Sequence, residues 1–178
     1  MNAPCYVRTN ERKDPATLRD VPVDVRRLLR WDAPPFLPES KHRIWTVWES
    51  TNGAPVPDVV AFAQQSWRVM HPRAEIIVVN STSPYFPWDV FRQLAVPIGM
   101  AGMSDLIRVH VLGKYGGTWM DATNVAHRPM PHFHKLPAPV MVVENEPKNF
   151  DRQISSWLLV AQEARLPLML AWERQMIK

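Results

Sequence analysis

Residues 74–80 have the sequence AEIIVVN, and the four consecutive apolar residues from Ile76 to Val79 are the feature that most limits the fold. A strand with one face in water alternates apolar and polar residues, whereas an unbroken apolar run is typical of a strand covered on both faces. Such strands belong to parallel sheets, because crossover helices cover both faces of the sheet. The run therefore predicts an α/β protein.

The segments around this run extend the same pattern. HRIWTVWES predicts a strand from Ile44 to Trp48, and a helix capped by Asp58 follows from Val59 to Met70. The apolar side of that helix is expected to carry Val59, Phe62, Ala63, Ser66 and Trp67. Two further helices are predicted, at residues 100–114 and in LPLMLAWERQMIK. Two further strands are predicted in TWMDATNV and VMVVEN, and the segment ISSWLLVAQEA fits either a strand or a helix. We expect a mostly parallel sheet flanked by helices.

The chain divides near residue 40. Residues 1–40 contain a polar start, a weakly helical stretch from Pro15 to Trp31 and a proline-rich connector, and we interpret them as an N-terminal helical and proline-rich extension. Residues 41–178 form the main predicted domain.

Charge and composition exclude several classes of protein. Lys and Arg exceed Asp and Glu by nine to six in residues 1–44 and by twelve to eleven in the remainder, so the main domain lacks the concentrated basic face of a nucleic-acid binder. No apolar run is long enough for a membrane span, and the N-terminus lacks the apolar stretch of a secretory signal. The single Cys5 excludes an internal disulfide framework. We therefore expect a cytoplasmic protein.

Chemically useful side chains follow the predicted strands. In open parallel sheets, ligands bind at the carboxyl ends of the strands. Trp45 and Trp48 lie on the opening strand, Asn80 and Ser81 end the second, and Asp121 ends the strand in TWMDATNV. We expect these side chains to converge at one edge of the sheet.

The segment before Asp121 adds a cation and a second carboxylate. Asp105 and Arg108 are three residues apart on a predicted helix and therefore share a face. Gly116 and Gly117, which have no Cβ, would let this helix and the next strand approach closely. This combination of side chains suits a nucleotide sugar. The base stacks on a tryptophan ring, and the two aspartates accept hydrogen bonds from the sugar's hydroxyl groups. The arginine offsets the negative charge of the diphosphate.

The segment MSDLIRVHVLGKYGGTWMDAT resembles the donor-site segment of glycosyltransferases with a DxD-type sugar-binding region, and its W-x-D-A-T ending looks most like the capsular polysaccharide synthesis protein family. HRIWTVWES and ISSWLLVAQEARLPLM resemble flanking parts of that family, so the likeness covers about residues 42–172. It implies a GT-A type Rossmann-like fold. The implied activity is transfer of a sugar, with retention, from a nucleoside diphosphate sugar such as a UDP-sugar to an acceptor hydroxyl in polysaccharide or glycan synthesis.

The resemblance also implies roles for individual residues. Trp48 would stack on the base, Asp105 and Arg108 would hold the donor sugar, and Asp121 would contact the sugar, the ribose or a divalent cation, Mn²⁺ or Mg²⁺. The catalytic set is then Asp121, Asp105 and Arg108. The full donor-binding set is Trp48, Trp45, Asp105, Arg108, Gly116, Gly117, Asp121 and Thr123.

Thr123 stands where the DxD pattern has its second acid, which weakens the metal site because a hydroxyl brings no charge to a hard cation. Glu144 and Glu146, after a predicted strand, are spare acids. His132 and His134 alternate as metal ligands do, but no cysteine or acid cluster accompanies them, so zinc is not expected.

One alternative function stays open. The resemblance implies that relatives usually continue past the equivalent of Trp172, so we expect the C-terminal part to be short or missing, and we expect a partner chain in a homo-oligomer to cover tryptophans that this exposes. Together with Thr123, this favours as an alternative a non-catalytic nucleotide-sugar-binding or scaffold protein with a truncated fold. A dinucleotide-dependent oxidoreductase is excluded because no G-x-G-x-x-G follows a strand.

Overall fold

A computed structural model describes residues 42–50, 53–89, 98–130, 139–144 and 154–176. Several sequence-based predictions lie outside these ranges. They are the extension at 1–40, most of the helical segment in DVFRQLAVP, Glu146, and the pair His132 and His134.

The described residues form a mixed α/β structure. The elements are β1 (Arg43–Val47), α1 (Asp58–Met70), β2 (Glu75–Val79), α2 (Met100–Tyr115), β3 (Gly117–Met120), β4 (Val140–Glu144), β5 (Ile154–Ala161) and α3 (Pro167–Met176). The strands form one sheet in the order β2-β1-β3-β5-β4. β1 pairs in parallel with β2 and β3, whereas β5 pairs antiparallel with β3 and β4.

The prediction of a mostly parallel sheet is therefore only partly confirmed. The β1–α1–β2 unit is parallel as predicted, but the undecided segment ISSWLLVAQEA is strand β5, and it runs against both of its neighbours. Its direction was not predictable from its own residues, because a buried strand has the same apolar pattern in either direction. The direction of β5 depends on its pairing with β3 and β4, and β3 is distant from it in the chain.

Alternating residues divide the core between the two faces of the sheet. Trp45 and Val79 point to the face covered by α2 and α3, and Ile44 and Met120 point to the face covered by α1. The sheet is thus buried on both sides, as the run in β2 predicted.

Helix α1 differs from the prediction in its start and in its buried face. It begins at Asp58 itself, whose side chain makes no capping hydrogen bond. Its buried residues are Val60, Ala63 and Trp67. Val59 and Phe62, predicted to face the core, are exposed, because the helix packs through the i, i+3, i+7 stripe that begins one residue later.

Helix α2 is buried almost all round, between the sheet and α3. Its buried residues include two polar ones, Arg108 and His110. His110 Nδ1 lies 2.5 Å from Glu173 Oε1 on α3, and both side chains are buried. This pair and the surrounding apolar packing hold α2 in one position, and α2 carries Asp105 and Arg108. In the described ranges, no helix combines the length and hydrophobicity needed to span a bilayer.

Candidate functional site

Three parallel strands end at the same edge of the sheet, each followed by polar or aromatic residues. Trp48 and Glu49 follow β1, Asn80 and Ser81 follow β2, and Asp121 follows β3. The backbone N–H of Trp48 donates to the carbonyl of Val79 at 3.1 Å, which keeps the ends of β1 and β2 together. The structure therefore places Trp48, Asn80, Ser81 and Asp121 at this edge, whereas Trp45, predicted to join them, lies within β1.

Arg108 connects the two predicted aspartates. Its Nη1 lies 3.1 Å from Asp105 Oδ1, and its Nη2 lies 3.2 Å from Asp121 Oδ1. Nη2 is also within 3.2 Å of the Ser104 hydroxyl, one helical turn before it. The guanidinium carbon lies 5.3 Å from the centre of the Trp119 ring, which adds a cation–π contact. One guanidinium thus joins the middle of α2 to the end of β3.

Burial is very unequal across this cluster. The Arg108 side chain is 5% exposed, whereas Asp105 is 51% and Asp121 is 36% exposed. The cation therefore lies behind the two carboxylates, which face solvent. Two carboxylates on one guanidinium leave the cluster with one net negative charge and with carboxylate oxygens accessible to a ligand's hydroxyl groups.

Asp121 is held from several directions. Its Oδ1 accepts the indole N–H of Trp119 at 2.7 Å as well as the Arg108 contact. Its backbone N–H donates to the Trp157 carbonyl at 3.0 Å, and its own carbonyl accepts the N–H of Asn124 at 2.9 Å. Asp121 is therefore fixed by side-chain and backbone bonds, and among the described residues nothing contacts its Oδ2.

The turn after β3 is anchored from below by α1. Trp67 Nε1 donates to the carbonyl of Asn124 at 2.6 Å, and Asn124 Nδ2 donates to the Trp157 carbonyl at 2.8 Å. Thr123 lies in this turn and is exposed, near Asp121 in the chain and on the same edge.

The two tryptophans of the opening strand have different environments. Trp45 is fully buried: its Nε1 donates to the carbonyl of Gly116 at 2.8 Å, and its ring packs against Tyr85 and Tyr115. No face of its ring is open to a base, so Trp45 is a core residue and leaves the donor-binding set. Trp48, just past the strand, is half-buried and stays in that set.

Gly116 and Gly117 are also misplaced in the sequence-based site. They lie at the start of β3, and Asp121 follows its end, so the four residues of the strand separate them by roughly 13 Å. Both glycines do allow close packing, as predicted, but their close neighbours are the backbone of Glu163 and of Arg43. A Cβ on Gly116 would lie 2.7 Å from the carbonyl carbon of Glu163, and one on Gly117 would lie 2.8 Å from the Arg43 carbonyl oxygen. These glycines let the chain pass close to other backbone, far from the carboxylates.

Sequence reasoning missed Glu49. Both of its carboxylate oxygens accept hydrogen bonds from Ser81, one from the backbone N–H and one from the hydroxyl group at 2.8 Å. Asn80 Oδ1 in turn accepts from Thr82 and from the Ser83 hydroxyl at 2.9 Å. These bonds shape the loop beside Trp48. The signal was present, since Glu49 is an acid directly after a predicted strand.

The described residues do not fit a protein-held metal site. Within these ranges, no three His, Cys, Asp or Glu side chains come together. Asp121 offers one uncontacted carboxylate oxygen, with the Arg108 cation bound to the other, and Thr123 adds no charge. Glu144 ends β4 at this same edge of the sheet, paired with Ile154.

Together, these features define an α/β protein with a candidate ligand site at the carboxyl edge of its parallel strands, where an aromatic side chain lies beside an arginine-bridged pair of carboxylates. The chain belongs to the capsular polysaccharide synthesis protein family, whose model matches residues 32–178. That match covers every element described above. A comparison with curated proteins finds no match.

Proposed function

We propose that this protein is a glycosyltransferase that moves a sugar from a nucleoside diphosphate sugar, specifically a UDP-sugar, to an acceptor hydroxyl during polysaccharide synthesis. The observation that carries the proposal is the contact of Arg108 with both Asp105 and Asp121 at the edge where β1, β2 and β3 end. Membership of a polysaccharide-synthesis family supports it independently.

The proposed roles follow from position and chemistry. The half-buried ring of Trp48 stacks on the base. Asp105 and Asp121 accept hydrogen bonds from hydroxyl groups of the donor, using the oxygens that Arg108 does not occupy. Arg108 holds both carboxylates in place, and its positive charge offsets the charge that grows on the diphosphate as the glycosidic bond breaks.

The proposed transfer needs no strong base from the protein. The acceptor oxygen forms a bond to the anomeric carbon on the face that the diphosphate leaves, which retains the configuration. The departing diphosphate oxygen takes both the bonding electron pair and the acceptor's proton. In this route neither Asp105 nor Asp121 acts as the nucleophile or the base, since Arg108 contacts both carboxylates.

The test is calorimetric titration with UDP, with and without Mn²⁺, of the wild type, Asp121→Ala and a control, Asp58→Asn. Asp58 is an exposed carboxylate at the start of α1, outside the cluster. We expect UDP binding in the wild type and the control, and at least tenfold weaker binding in Asp121→Ala. Binding that requires Mn²⁺ would show that donor phosphates complete a cation site at Asp121. Equal affinity in all three proteins, or no binding of any nucleoside diphosphate, would overturn the proposal.

A second assay separates the enzyme from the scaffold alternative. Transferases leak sugar to water when the acceptor is absent, so we expect slow release of free sugar from a UDP-sugar by the wild type and none by Asp121→Ala. Tight UDP-sugar binding without hydrolysis or transfer would instead favour a nucleotide-sugar-binding scaffold, which the exposed Thr123 in place of a second acid also favours.

A further inference from the structure

The antiparallel strand β5 brings a second tryptophan to the edge of the sheet where Asp121 lies. β5 begins at Ile154 beside the end of β3, because the two strands run in opposite directions. Trp157 lies in this first part of β5 and is 41% exposed. In the sheet order, β1 and β5 are the two neighbours of β3. Trp48, just past the end of β1, and Trp157, in β5, therefore lie on opposite sides of Asp121, and each of the two strands is about 4.8 Å from β3.

The pairing of β5 with β4 is irregular beside Trp157, where the register shifts as it does at a β-bulge. Val142 of β4 pairs with Leu159, but the next residue, Val143, pairs with Ser155. Residues 156–158 of β5 thus have no paired residue in β4, because the register skips from Leu159 to Ser155 between Val142 and Val143. Ser156 and Trp157 are both exposed, whereas consecutive residues of a regular strand point to opposite faces. Bulges of this kind re-aim a side chain and are frequent beside active sites.

The bulge is fastened to the Asp121 turn. The Trp157 carbonyl accepts the backbone N–H of Asp121 at 3.0 Å and the side-chain amide of Asn124 at 2.8 Å. These two hydrogen bonds hold the Trp157 carbonyl, so the backbone of Trp157 keeps a fixed position relative to the backbone of Asp121. A large exposed aromatic residue on a fixed backbone, next to carboxylates, is the chemistry that recognises a pyranose: the ring stacks on its C–H face and the carboxylates bond its hydroxyl groups.

We propose that Trp157 is the platform for the acceptor's sugar ring. This inference rests on the proposed function, because the proposed position of the donor determines on which side of it the acceptor binds. With the base on Trp48, beside β2, the donor runs along the edge toward Asp121, and its reacting carbon lies near that carboxylate. The next position along the edge is Trp157. An acceptor sugar stacked there places a hydroxyl group beside the anomeric carbon, on the face that the diphosphate leaves.

The test uses protein labelled with 5-fluorotryptophan and fluorine NMR. The signals of Trp48, Trp157 and Trp172 are assigned with single Trp→Phe variants, and Trp172 on α3 serves as the control. The probes are UDP, then four UDP-sugars (glucose, galactose, N-acetylglucosamine and glucuronic acid), and then the methyl glycosides of the same sugars with UDP present. We expect UDP to shift the Trp48 signal and at least one glycoside to shift the Trp157 signal, with Trp172 unchanged.

A truncating variant adds a binding measurement. Trp157→Ala should weaken glycoside binding by about tenfold or more, and Trp157→Tyr should restore part of it, because tyrosine keeps a flat ring. A circular dichroism spectrum equal to that of the wild type shows that the variants are folded.

The other outcomes are distinct. A Trp48 shift with UDP but no Trp157 shift with any glycoside or UDP-sugar overturns the platform and leaves the donor site standing. A Trp157 shift with UDP-sugars alone assigns the ring to the donor sugar and overturns the acceptor assignment. A Trp157 signal that depends on protein concentration shows that a second copy covers it, which also overturns the proposal. A Trp157 shift with glycosides and no response to UDP supports a saccharide platform while the proposed transferase fails.

Discussion

Gly116 gives the sharpest test of how the chain passes from α2 into β3. Its backbone has φ 66° and ψ −169°, a region that essentially only glycine adopts, and a side chain there costs about 1–3 kcal/mol. An added Cβ would also lie 2.7 Å from the Glu163 carbonyl carbon and 3.0 Å from the Ala164 nitrogen. These atoms are backbone, so they cannot rotate away, and overpacking of this kind costs about 1–3 kcal/mol.

The expected effect of Gly116→Ala follows from these two contributions. Reduced entropy of the unfolded chain offsets about 0.4–1 kcal/mol of the cost. We therefore expect the free energy of unfolding to fall by about 3 kcal/mol, a large part of the 5–15 kcal/mol typical of a domain. Urea titration, followed by tryptophan fluorescence and by circular dichroism, measures it. With a slope of about 2 kcal/mol/M, the midpoint should move by about 1.5 M.

The matched control is Gly53→Ala. Gly53 has a similar φ of 71°, but no atom of the described residues lies within 4 Å of its added Cβ. Only the conformational cost remains, and the expected loss is about 1 kcal/mol. The reasoning is refuted if Gly116→Ala loses no more stability than Gly53→Ala, because the overlap with Glu163 and Ala164 would then contribute nothing.

Three further predictions concern buried polar groups. Among the described residues, the buried Thr46 hydroxyl has no hydrogen-bond partner. Thr46→Val should therefore stabilise the protein by about 1 kcal/mol and raise the midpoint of urea unfolding. A loss of stability would contradict this prediction. Burial first, and Tyr85 second, raise the pKa of the Tyr115 phenol above 10.0, although Arg43 opposes them. Above pH 10 the unfolded state loses this proton while the folded state keeps it, so stability should fall more steeply with pH in the wild type than in Tyr115→Phe; equal slopes would count against it. Glu173→Ala leaves His110 without its carboxylate and should cost roughly 3 kcal/mol in thermal or urea unfolding, whereas Glu173→Gln, which keeps an amide oxygen, should cost clearly less.

Local patterns predicted what depends on local geometry. The apolar run in β2 indicated a strand buried on both faces, and the three-residue spacing of Asp105 and Arg108 put them on one side of α2. The rule that parallel strands end at one edge then brought Asp121 to the same place. These are consequences of helical period and strand direction, which short stretches of sequence carry.

Residues chosen by motif alone were less well placed. Trp45 and Trp48 differ by three positions, but the first lies within β1 and the second just past its end, so only Trp48 keeps an exposed surface. Gly116 and Gly117 belong to the same motif as Asp121, yet a strand separates them from it. The direction of β5, and with it the position of Trp157, depends on pairing between distant segments and left no local signal.

The pairing of β3 with β5 has a consequence for the order in which the protein folds. β1, α1 and β2 are close in sequence and can pair early, as contacts of short range do. The backbone N–H of Asp121 and the amide of Asn124, however, find their acceptor on Trp157, more than thirty residues later. A nascent chain that ends before β5 would lack these two hydrogen bonds, and Trp67 and Arg108 would hold the turn to the helices. Synthesis of β5 thus completes the edge of the sheet that carries Asp121.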